Sequence, residues 1–390
     1  MTPAPESTAA GEGPLAGLRV LDLTHVLAGP YATGQLALMG AEVIRVERPA
    51  GDDFVRGHGG TEEMRAAGLG ASFLSQNSGK RSITLDLKEA GDRARLLDLA
   101  RSADIMVENF RPGVVDRLGV GYDQIRAVKP DILYASLSGY GPDGPLAGRP
   151  AYDHILQGIC GLMAMTGEAA SGPMRVGLPI VDYVAGQALV AALLAGLLQR
   201  AKVPGEPQHL QVSMLDAMTT LMGAYALHHE TTGQLRGLEG NRAFADTPYS
   251  GRFDCADGAI VITANTPAQA SRLCAALGRE DLLDQGAPGQ VAESLREIFL
   301  ARDADHWEAH LSEANVPAAR VRSLAEALDH PQMKHSPAWR DLPVPQLGLT
   351  LRAPALPFAA PWGPKTLAPA PTLGQHTSEI LADLPKEAAS

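Results

Sequence analysis

Gly17-Leu-Arg-Val-Leu-Asp-Leu-Thr24, then Pro30 to Gly40, then Glu42-Val-Ile-Arg-Val-Glu47 read as strand, helix and strand in succession. The first is an apolar run of strand length, and the second opens with a proline whose fixed φ suits a first helical turn. Together they make a βαβ unit. The alternation goes on through strand Ser82 to Leu87, helix Glu89 to Ser102, strand Asp104 to Val107, a short helix near Val114 to Leu118, and strand Asp131 to Leu137. Strands and helices of these lengths in this order predict an α/β fold, a Rossmann-like, mostly parallel sheet covered by helices on both faces. Ligands of such sheets lie at the carboxyl ends of the strands, so the loops after Thr24, Glu47, Val107 and Leu137 should share one rim. All four are rich in functional side chains: His25-Val26-Leu27-Ala28-Gly29-Pro30, Arg48-Pro49, Glu108-Asn109-Phe110-Arg111-Pro112-Gly113 and Ser138-Gly139-Tyr140-Gly141.

Downstream, a helix over Val184 to Leu198 is almost purely apolar, shorter than the ~20 residues that span a bilayer, and flanked by Asp182 and Arg200; it reads as a buried core helix. Strand His209 to Ser213 and helix Met214 to His228 follow. After Gly233 the texture changes to a predicted hairpin, Tyr249 to Asp254 and Ala259 to Ala264 across Ala256-Asp257-Gly258, and then charged helices from Pro267 to Ala314. That is a second, smaller α+β domain. Proline and glycine recur from Pro343 to Pro371, predicting an extended return segment before a last helix over Thr377 to Leu384.

Lys plus Arg number 33 against 44 Asp plus Glu, a formal charge of -11, which excludes a general nucleic-acid surface and requires any anionic ligand to meet locally placed cations. Cys160, Cys255 and Cys274 are odd in number and widely spaced, so neither a disulfide framework nor a thiolate metal site is expected. Met1 to Pro14 is small and polar with no apolar signal region, which reads as a floppy tail and makes the cytoplasm the expected location. No membrane or nucleic-acid partner is expected.

Several motifs fail on context. Gly139-Tyr-Gly-Pro-Asp-Gly144 has dinucleotide-loop spacing but runs into Pro145 to Pro150 instead of a helix, leaving no helix N-terminus for a pyrophosphate. Ser78-Gly79-Lys80-Arg81-Ser82 lacks the first glycine of a phosphate loop, with Leu74 in its place. His306 and His310 share a helix face without a third metal ligand, and His228-His229-Glu230 reads as a helix end. Asp182, just ahead of the apolar helix, reads on position alone as an N-cap.

Wider blocks carry more. Arg19 to Pro30, Gly40 to Arg48, Asn77 to Lys88, Val107 to Gly119, Gly139 to Gly144, Tyr152-Asp153 with Gly161-Leu162-Met163, Leu178 to Gly186, and Leu373-Gly-Gln-His-Thr377 together resemble the class III (CaiB/BaiF-type) coenzyme A transferases and the related α-methylacyl-CoA racemases. The resemblance spans nearly the whole chain. It implies that residues 1–224 and 326–390 build the large domain, that 225–325 form an inserted small domain, and that two chains interlock as a homodimer. By the same resemblance His25, Val26, Arg48, Leu85, Asn109, Phe110, Arg117 and Leu118 fall at coenzyme A contacts. Arg48 and Arg117 suit phosphate, and Phe110, Leu85 and Leu118 suit adenine or pantetheine.

The resemblance further makes Asp182 the nucleophile and Asp153 its partner acid, with Tyr152 and His25 in supporting positions. Moving coenzyme A between acids without ATP needs a carboxylate that attacks a thioester, forming an acyl anhydride and then an aspartyl-CoA thioester. N-cap and nucleophile are compatible roles. Coenzyme A and acyl-CoA then enter as substrates, with no permanently bound cofactor and no metal. The alternative is the racemase branch, which uses a His immediately before the acid at the Asp153 position. Here that position holds Tyr152, a phenol with an ordinary pKa of ~10 and a poor base near neutrality, while His154 sits one place too late. Formate and oxalate members carry a glycine-rich loop where this chain has Asn241 to Tyr249, and a Gln where Leu27 stands. These departures argue against oxalate or formate as the acid; Arg242 reads either as an exposed loop arginine or as a partner for the distal carboxylate of a C4 to C6 dicarboxylate, with succinyl-CoA then a candidate donor.

Overall fold

The computed structural model describes residues 13–242, 245, 247–284 and 287–384. The tail read over Met1 to Pro14 lies outside the described residues, apart from Gly13 and Pro14. The chain divides into two compact units: Met1–Leu162 with Arg175–Leu235 and Ser336–Ser390, and Met163–Met174 with Arg236–His335.

In the first unit β1 (Arg19–Asp22), α1 (Ala28–Leu38) and β2 (Glu42–Glu47) form the βαβ unit read from the sequence. It continues as β3 (Arg81–Thr84), α2 (Ala90–Arg101), β4 (Ile105–Glu108), β5 (Leu133–Ser138), α3 (Asp153–Ile159), α4 (Ile180–Lys202) and β6 (Gln208–Ser213). The six strands pair in parallel in the order β3-β2-β1-β4-β5-β6, a doubly wound sheet whose order reverses between β1 and β4. Adjacent strand residues face opposite sides, and both sides are apolar: Val20, Val43, Ile105 and Leu133 enter one core with α1 and α4, while Leu21, Ile44, Met106 and Tyr134 enter the other with α2. Burial on both faces is why apolar residues stand side by side in Val20-Leu21, Val43-Ile44 and Ile105-Met106-Val107.

α4 has 23 residues, long enough to cross a bilayer by length and composition, so the shortness expected of it does not hold. Its stripe of Val181, Ala185, Leu189 and Leu193 is nevertheless buried in the core against the sheet and α1. The two helices touch closely at Gly186, where a Cβ would lie 2.8 Å from both the Ala28 carbonyl oxygen and the Tyr31 ring. At the open edge of the sheet the C-terminal segment returns: Ser82 N donates to His376 Nδ1 at 3.1 Å and Thr84 N to Thr377 Oγ1 at 3.0 Å. An edge covered in this way offers no template to another strand.

The Pro-rich return differs from the expected extended segment. Trp339–Val344 and Leu349–Pro354 form an antiparallel hairpin whose Leu342, Val344 and Ala353 pack with Val55, Leu69 and Phe73. Pro343 is accommodated because both strands of a two-stranded sheet are edges.

The second unit contains β7 (Gly251–Cys255) and β8 (Gly258–Ile262), the predicted hairpin, then α5 (Pro267–Leu277), α6 (Pro288–Leu300), α7 (Ala304–Glu313) and β9 (Ala318–Arg320) in sheet order β9-β8-β7. Phe253, Ile260, Leu273, Leu295, Phe299, Trp307 and Leu311 form its core. Its limits differ from those read in the sequence. Met163–Met174 joins it because Gly240 N donates to Gly167 O at 2.8 Å and Glu168 bridges Glu239. Residues 225–235 stay with the first unit because helix Gly223–Thr232 follows directly on Met214–Leu221.

Beneath the loops of the first unit lies a buried ionic cluster. Lys80 Nζ, fully enclosed, donates to Asp22 Oδ2 at 2.9 Å, Pro30 O at 2.9 Å and Thr33 Oγ1 at 2.8 Å. Burial pushes the Asp22 carboxyl up, but Lys80, Arg45 and the Thr24 and Thr33 hydroxyls together hold it down at about 2. Arg45, wholly buried, pairs with Asp53 and Glu47, and Arg56 grips Glu47 at 2.6 Å while lying 3.8 Å from the Phe73 ring centroid. Removing one member leaves a buried charge unanswered. Lys80→Met is therefore expected to cost about 3–5 kcal/mol of unfolding free energy. Urea unfolding at pH 7 measures it, and a loss below about 1 kcal/mol would contradict a structural role for the pair.

Candidate active site

The reversal of strand order between β1 and β4 makes the loops after them diverge and opens a crevice at their carboxyl ends. After β1 the chain turns sharply at Val26, which holds φ +68°. A β-branched residue in this left-handed region is strained by ~1–2 kcal/mol, and neighbouring groups fix it there. Val26 N donates to Asp53 Oδ2 at 3.3 Å, and that carboxylate is anchored from behind by Arg45. The preceding residue is clamped by a reciprocal pair: His25 N donates to Asn109 Oδ1 at 2.8 Å, and Asn109 Nδ2 to His25 O at 2.9 Å.

Phe110, next to Asn109, meets the His25 ring edge to face with centroids 5.1 Å apart. Its backbone N donates to Glu108 Oε2 at 2.8 Å, and burial pushes that carboxyl up to about 7. Burial and the Arg45 cation lower the His25 pKa, which favours the neutral imidazole.

His25 and Phe110 stand between two cavities. One, about 230 Å³, is lined by Leu23, Val46, Arg48, Leu85, Lys88 and Leu118, largely apolar with cations at the wall. The other, about 210 Å³, is lined among others by Val26, Leu27, Asn109, Arg111, Arg149, Tyr152 and Asp182. Arg48 is half-exposed and paired with Asp52. Among the described residues neither Arg111 nor Arg149 makes an ion pair, so both present free positive charge to the second cavity. α1 begins at that cavity too: its N-cap, Leu27, has no capping side chain, and the wall includes Leu27 and Ala28.

Asp182 is not the helix cap that its position implied. The N-cap of α4 is Pro179, which has no side chain to donate or accept, and Asp182 lies inside the first turn. The cap comes from another helix. Asp153, buried at the start of α3, accepts from Val181 N at 2.7 Å and from Asp182 N at 3.3 Å through one oxygen, and from Gln157 Nε2 at 2.6 Å through the other. This occupies Asp153 and leaves the Asp182 carboxyl facing the cavity. Burial, reinforced by the negative charge of Asp153, pushes Asp182 up to about 7.

Of the residues singled out in the sequence, His25, Val26, Asn109, Phe110, Tyr152 and Asp182 line the second cavity, and Arg48, Leu85 and Leu118 line the first with His25 and Phe110. Asp153 stands behind the wall. Arg117 is exposed on Val114–Arg117 and lines neither cavity. Arg242 lines a separate cavity of about 720 Å³ in the second unit, with Arg252, Arg296 and Glu293. Of the loop around it, Ala243, Phe244 and Asp246 lie outside the described residues. The sequence reading quoted Arg111 only as part of its loop and gave no role to Arg149 or Gln157. The signal for Gln157 was its i, i+4 spacing from Asp153.

The chain matches the model of CoA-transferase family III over residues 15–377. It is 36% identical to the acetyl-CoA:oxalate CoA-transferase of Acetobacter aceti, over 82% of this chain and 84% of that one. It is 34% identical to the succinyl-CoA:mesaconate CoA-transferase of Haloarcula hispanica, over 95% and 96%. Its fold superimposes on the crystal structure of a CaiB/BaiF family protein from Brucella suis with a TM-score of 0.83 at 29% identity, covering 96% of this chain and all of that one.

The raised Asp182 has a thermodynamic signature. Its folded pKa of about 7 exceeds the ordinary 3.8, so the folded state binds the extra proton and stability falls as pH rises between those values. Asp182→Asn should therefore melt higher than the parent at pH 8, with the difference vanishing below about pH 4. Calorimetry across that range tests it; a variant that melts lower at pH 8 would contradict the burial of a costly charge.

Proposed function

The chain belongs to CoA-transferase family III, and from that membership we propose that it carries coenzyme A from an acyl-CoA to a carboxylic acid through covalent intermediates on Asp182. The observation that carries this reading is a carboxyl with a pKa of about 7, aimed into a small cavity at the sheet's switch point. A carboxylate stripped of water is a better nucleophile than a solvated one, and near pH 7 a large fraction is ionised.

In the proposed sequence Asp182 attacks the thioester carbonyl. The C–S bond breaks and the thiolate leaves, giving a mixed anhydride. The thiolate then attacks the Asp182 carbonyl, expelling the donor acid and leaving an aspartyl-CoA thioester. The acceptor carboxylate attacks this thioester, and the freed thiolate takes the acceptor's acyl group from the second anhydride, restoring Asp182. Each attack builds an oxyanion, and the uncapped start of α1 at Leu27 and Ala28 supplies positive potential beside it.

Coenzyme A fits the two cavities as one ligand. Leu85, Leu118 and Phe110 offer an apolar seat with Arg48 for phosphate, and the pantetheine arm passes His25, Val26 and Asn109 towards Asp182. Arg117, exposed beside this seat's Leu118, remains in reach of solvent-side phosphate. Both relatives named above use a dicarboxylate, and Arg111 and Arg149 in the Asp182 cavity supply charge for a second carboxylate. This supports a dicarboxyl-CoA such as succinyl-CoA as donor. The racemase alternative asks for a His immediately before the acid at the Asp153 position, and this chain holds the phenol of Tyr152 there, on the wall of the Asp182 cavity.

Incubating the protein with succinyl-CoA and trapping with hydroxylamine should modify Asp182 in the parent and not in Asp182→Asn, with transfer activity reduced at least ~10⁴-fold in the variant. Persistent activity without Asp182 modification overturns the mechanism, turnover with no dicarboxyl-CoA overturns the substrate class, and deuterium uptake at the α-carbon without transfer favours the racemase.

A homodimer belongs to the same proposal. Leu198, Leu221, Leu227 and Leu235 are 66–77% exposed, and helix Gly223–Thr232 buries none of its residues. Unpartnered apolar faces of this extent favour a second copy. Light scattering should give twice the 40.9 kDa chain mass, and a monomeric value at micromolar concentration would refute it.

A further inference from the structure

Behind the wall of the Asp182 cavity, Gln157 is wholly buried and makes three hydrogen bonds through one amide. Its Nε2 donates to Asp153 Oδ1 at 2.6 Å and to Leu178 O at 3.4 Å, and its Oε1 accepts from Val176 N at 2.8 Å. Only one orientation of the amide satisfies all of these, because the carboxylate and the carbonyl need a donor and Val176 N–H needs an acceptor. Asp153 and Gln157 are one turn apart on α3, so the carboxylate and its brace share a face. Val176 and Leu178 belong to the segment that leads into α4, and Pro179 at the cap of that helix contributes no side-chain hydrogen bond. Asp153 and Gln157 therefore do the work that a cap residue would do.

We propose that Gln157 is a positioning residue for the transfer reaction: it locks the Asp153 carboxylate onto Val181 N and Asp182 N, pins the 176–178 segment, and so fixes the angle at which Asp182 meets the thioester. This rests on the Asp182 reading above. Gln157 touches no cavity wall, so its loss disturbs the chemical step and leaves acyl-CoA binding intact. Its neutrality matters as well. An arginine or lysine at this place would cancel the Asp153 charge that presses on Asp182, whereas an amide orients that carboxylate without discharging it. The titratable groups around it are Asp153 on α3 and Cys160 at its C-cap, Arg175 before the Val176 contact, and Asp182 and Tyr183 on α4.

Two variants of the full-length protein test this. Gln157→Met keeps the length of the side chain and removes both polar functions. Its kcat should fall ~10²-fold, the scale of a small misplacement of a reacting group, with the KM for acyl-CoA changed less than ~3-fold. Gln157→Glu keeps the shape. While its new carboxyl is protonated it donates to Asp153 and accepts from Val176 N, so kcat stays within ~3-fold of the parent near pH 7. Once the shared proton is lost the two carboxylates repel, and kcat falls at alkaline pH where the parent holds its plateau. That descending limb is a readout that a purely structural role does not produce, and it keeps the test decisive if Gln157→Met fails to fold. Parent-like kcat in Gln157→Met, or a Gln157→Glu profile identical to the parent's, overturns the proposal. If instead the parent itself forms no Asp182 adduct with acyl-CoA, the nucleophile reading fails, and the two failures are distinguished by the trapping measurement on the parent alone.

Discussion

The geometry of the Asp182 cavity depends on one interaction, the Asp153 carboxylate lying across the first turn of α4. A helix start leaves N–H groups without intrahelical partners, and the usual remedy is a cap side chain from the residue just before the helix. Here Pro179 occupies that place and offers nothing, so the remedy arrives from α3, 26 positions earlier than the cap. Because the capping carboxylate is remote, the first-turn acid Asp182 is released from capping and turned to the cavity. The same contact places a second negative charge near Asp182 in a water-poor setting, and this helps to hold it at about 7.

The opposite wall is built on a parallel plan. Val26 is held at φ +68° by a carboxylate, Asp53, which accepts the strained residue's N–H and is itself gripped by a buried group, Arg45. Arg45 continues into Glu47, Arg56 and the neighbouring Lys80–Asp22 pair, so the strain of one turn is shared by a lattice of buried charges under the sheet's carboxyl edge. Asn109 ties that turn to the loop after β4. The crevice that every doubly wound sheet offers at its switch point thereby becomes a rigid one.

Much of this was legible in the chain. The apolar runs of β1, β2 and β4 announce a sheet buried on both faces, and loops bearing His25, Arg48 and Asn109 could then meet only at one rim. Asp182 was visible as an isolated acid before an apolar helix, but its first reading as a cap was wrong. Local pattern attributes capping to the nearest polar residue, while Asp153 reaches α4 only through the tertiary fold. Arg111 and Arg149 carry no role in the sequence for a similar reason: there they are ordinary loop cations, and only their shared cavity separates them from solvated surface charges. The hairpin over Trp339–Val344 and Leu349–Pro354 was hidden by its prolines, which forbid a central strand and permit an edge. The limits of the second unit were hidden because Gly167 pairs with Gly240, a contact between distant segments.

The two walls differ in one respect that bears on chemistry. Asp53 and Asp153 each hold a backbone N–H at the cavity and each is held from behind, but by groups of unlike charge. Arg45 is a cation, so the Asp53 charge is largely neutralised, and the same cation helps lower the His25 pKa. Gln157 is neutral, so the Asp153 charge persists and acts on Asp182. Exchanging the two braces would retain the hydrogen bonds but reverse the electrostatics: a cation behind Asp153 would pull Asp182 down towards an ordinary, weakly nucleophilic carboxylate. The amide on one side and the guanidinium on the other leave the cavity with a carboxyl whose pKa is raised and an imidazole whose pKa is lowered. The shared hydrogen-bonding plan holds both walls of the cavity in place, and the difference in charge accounts for the raised carboxyl of Asp182.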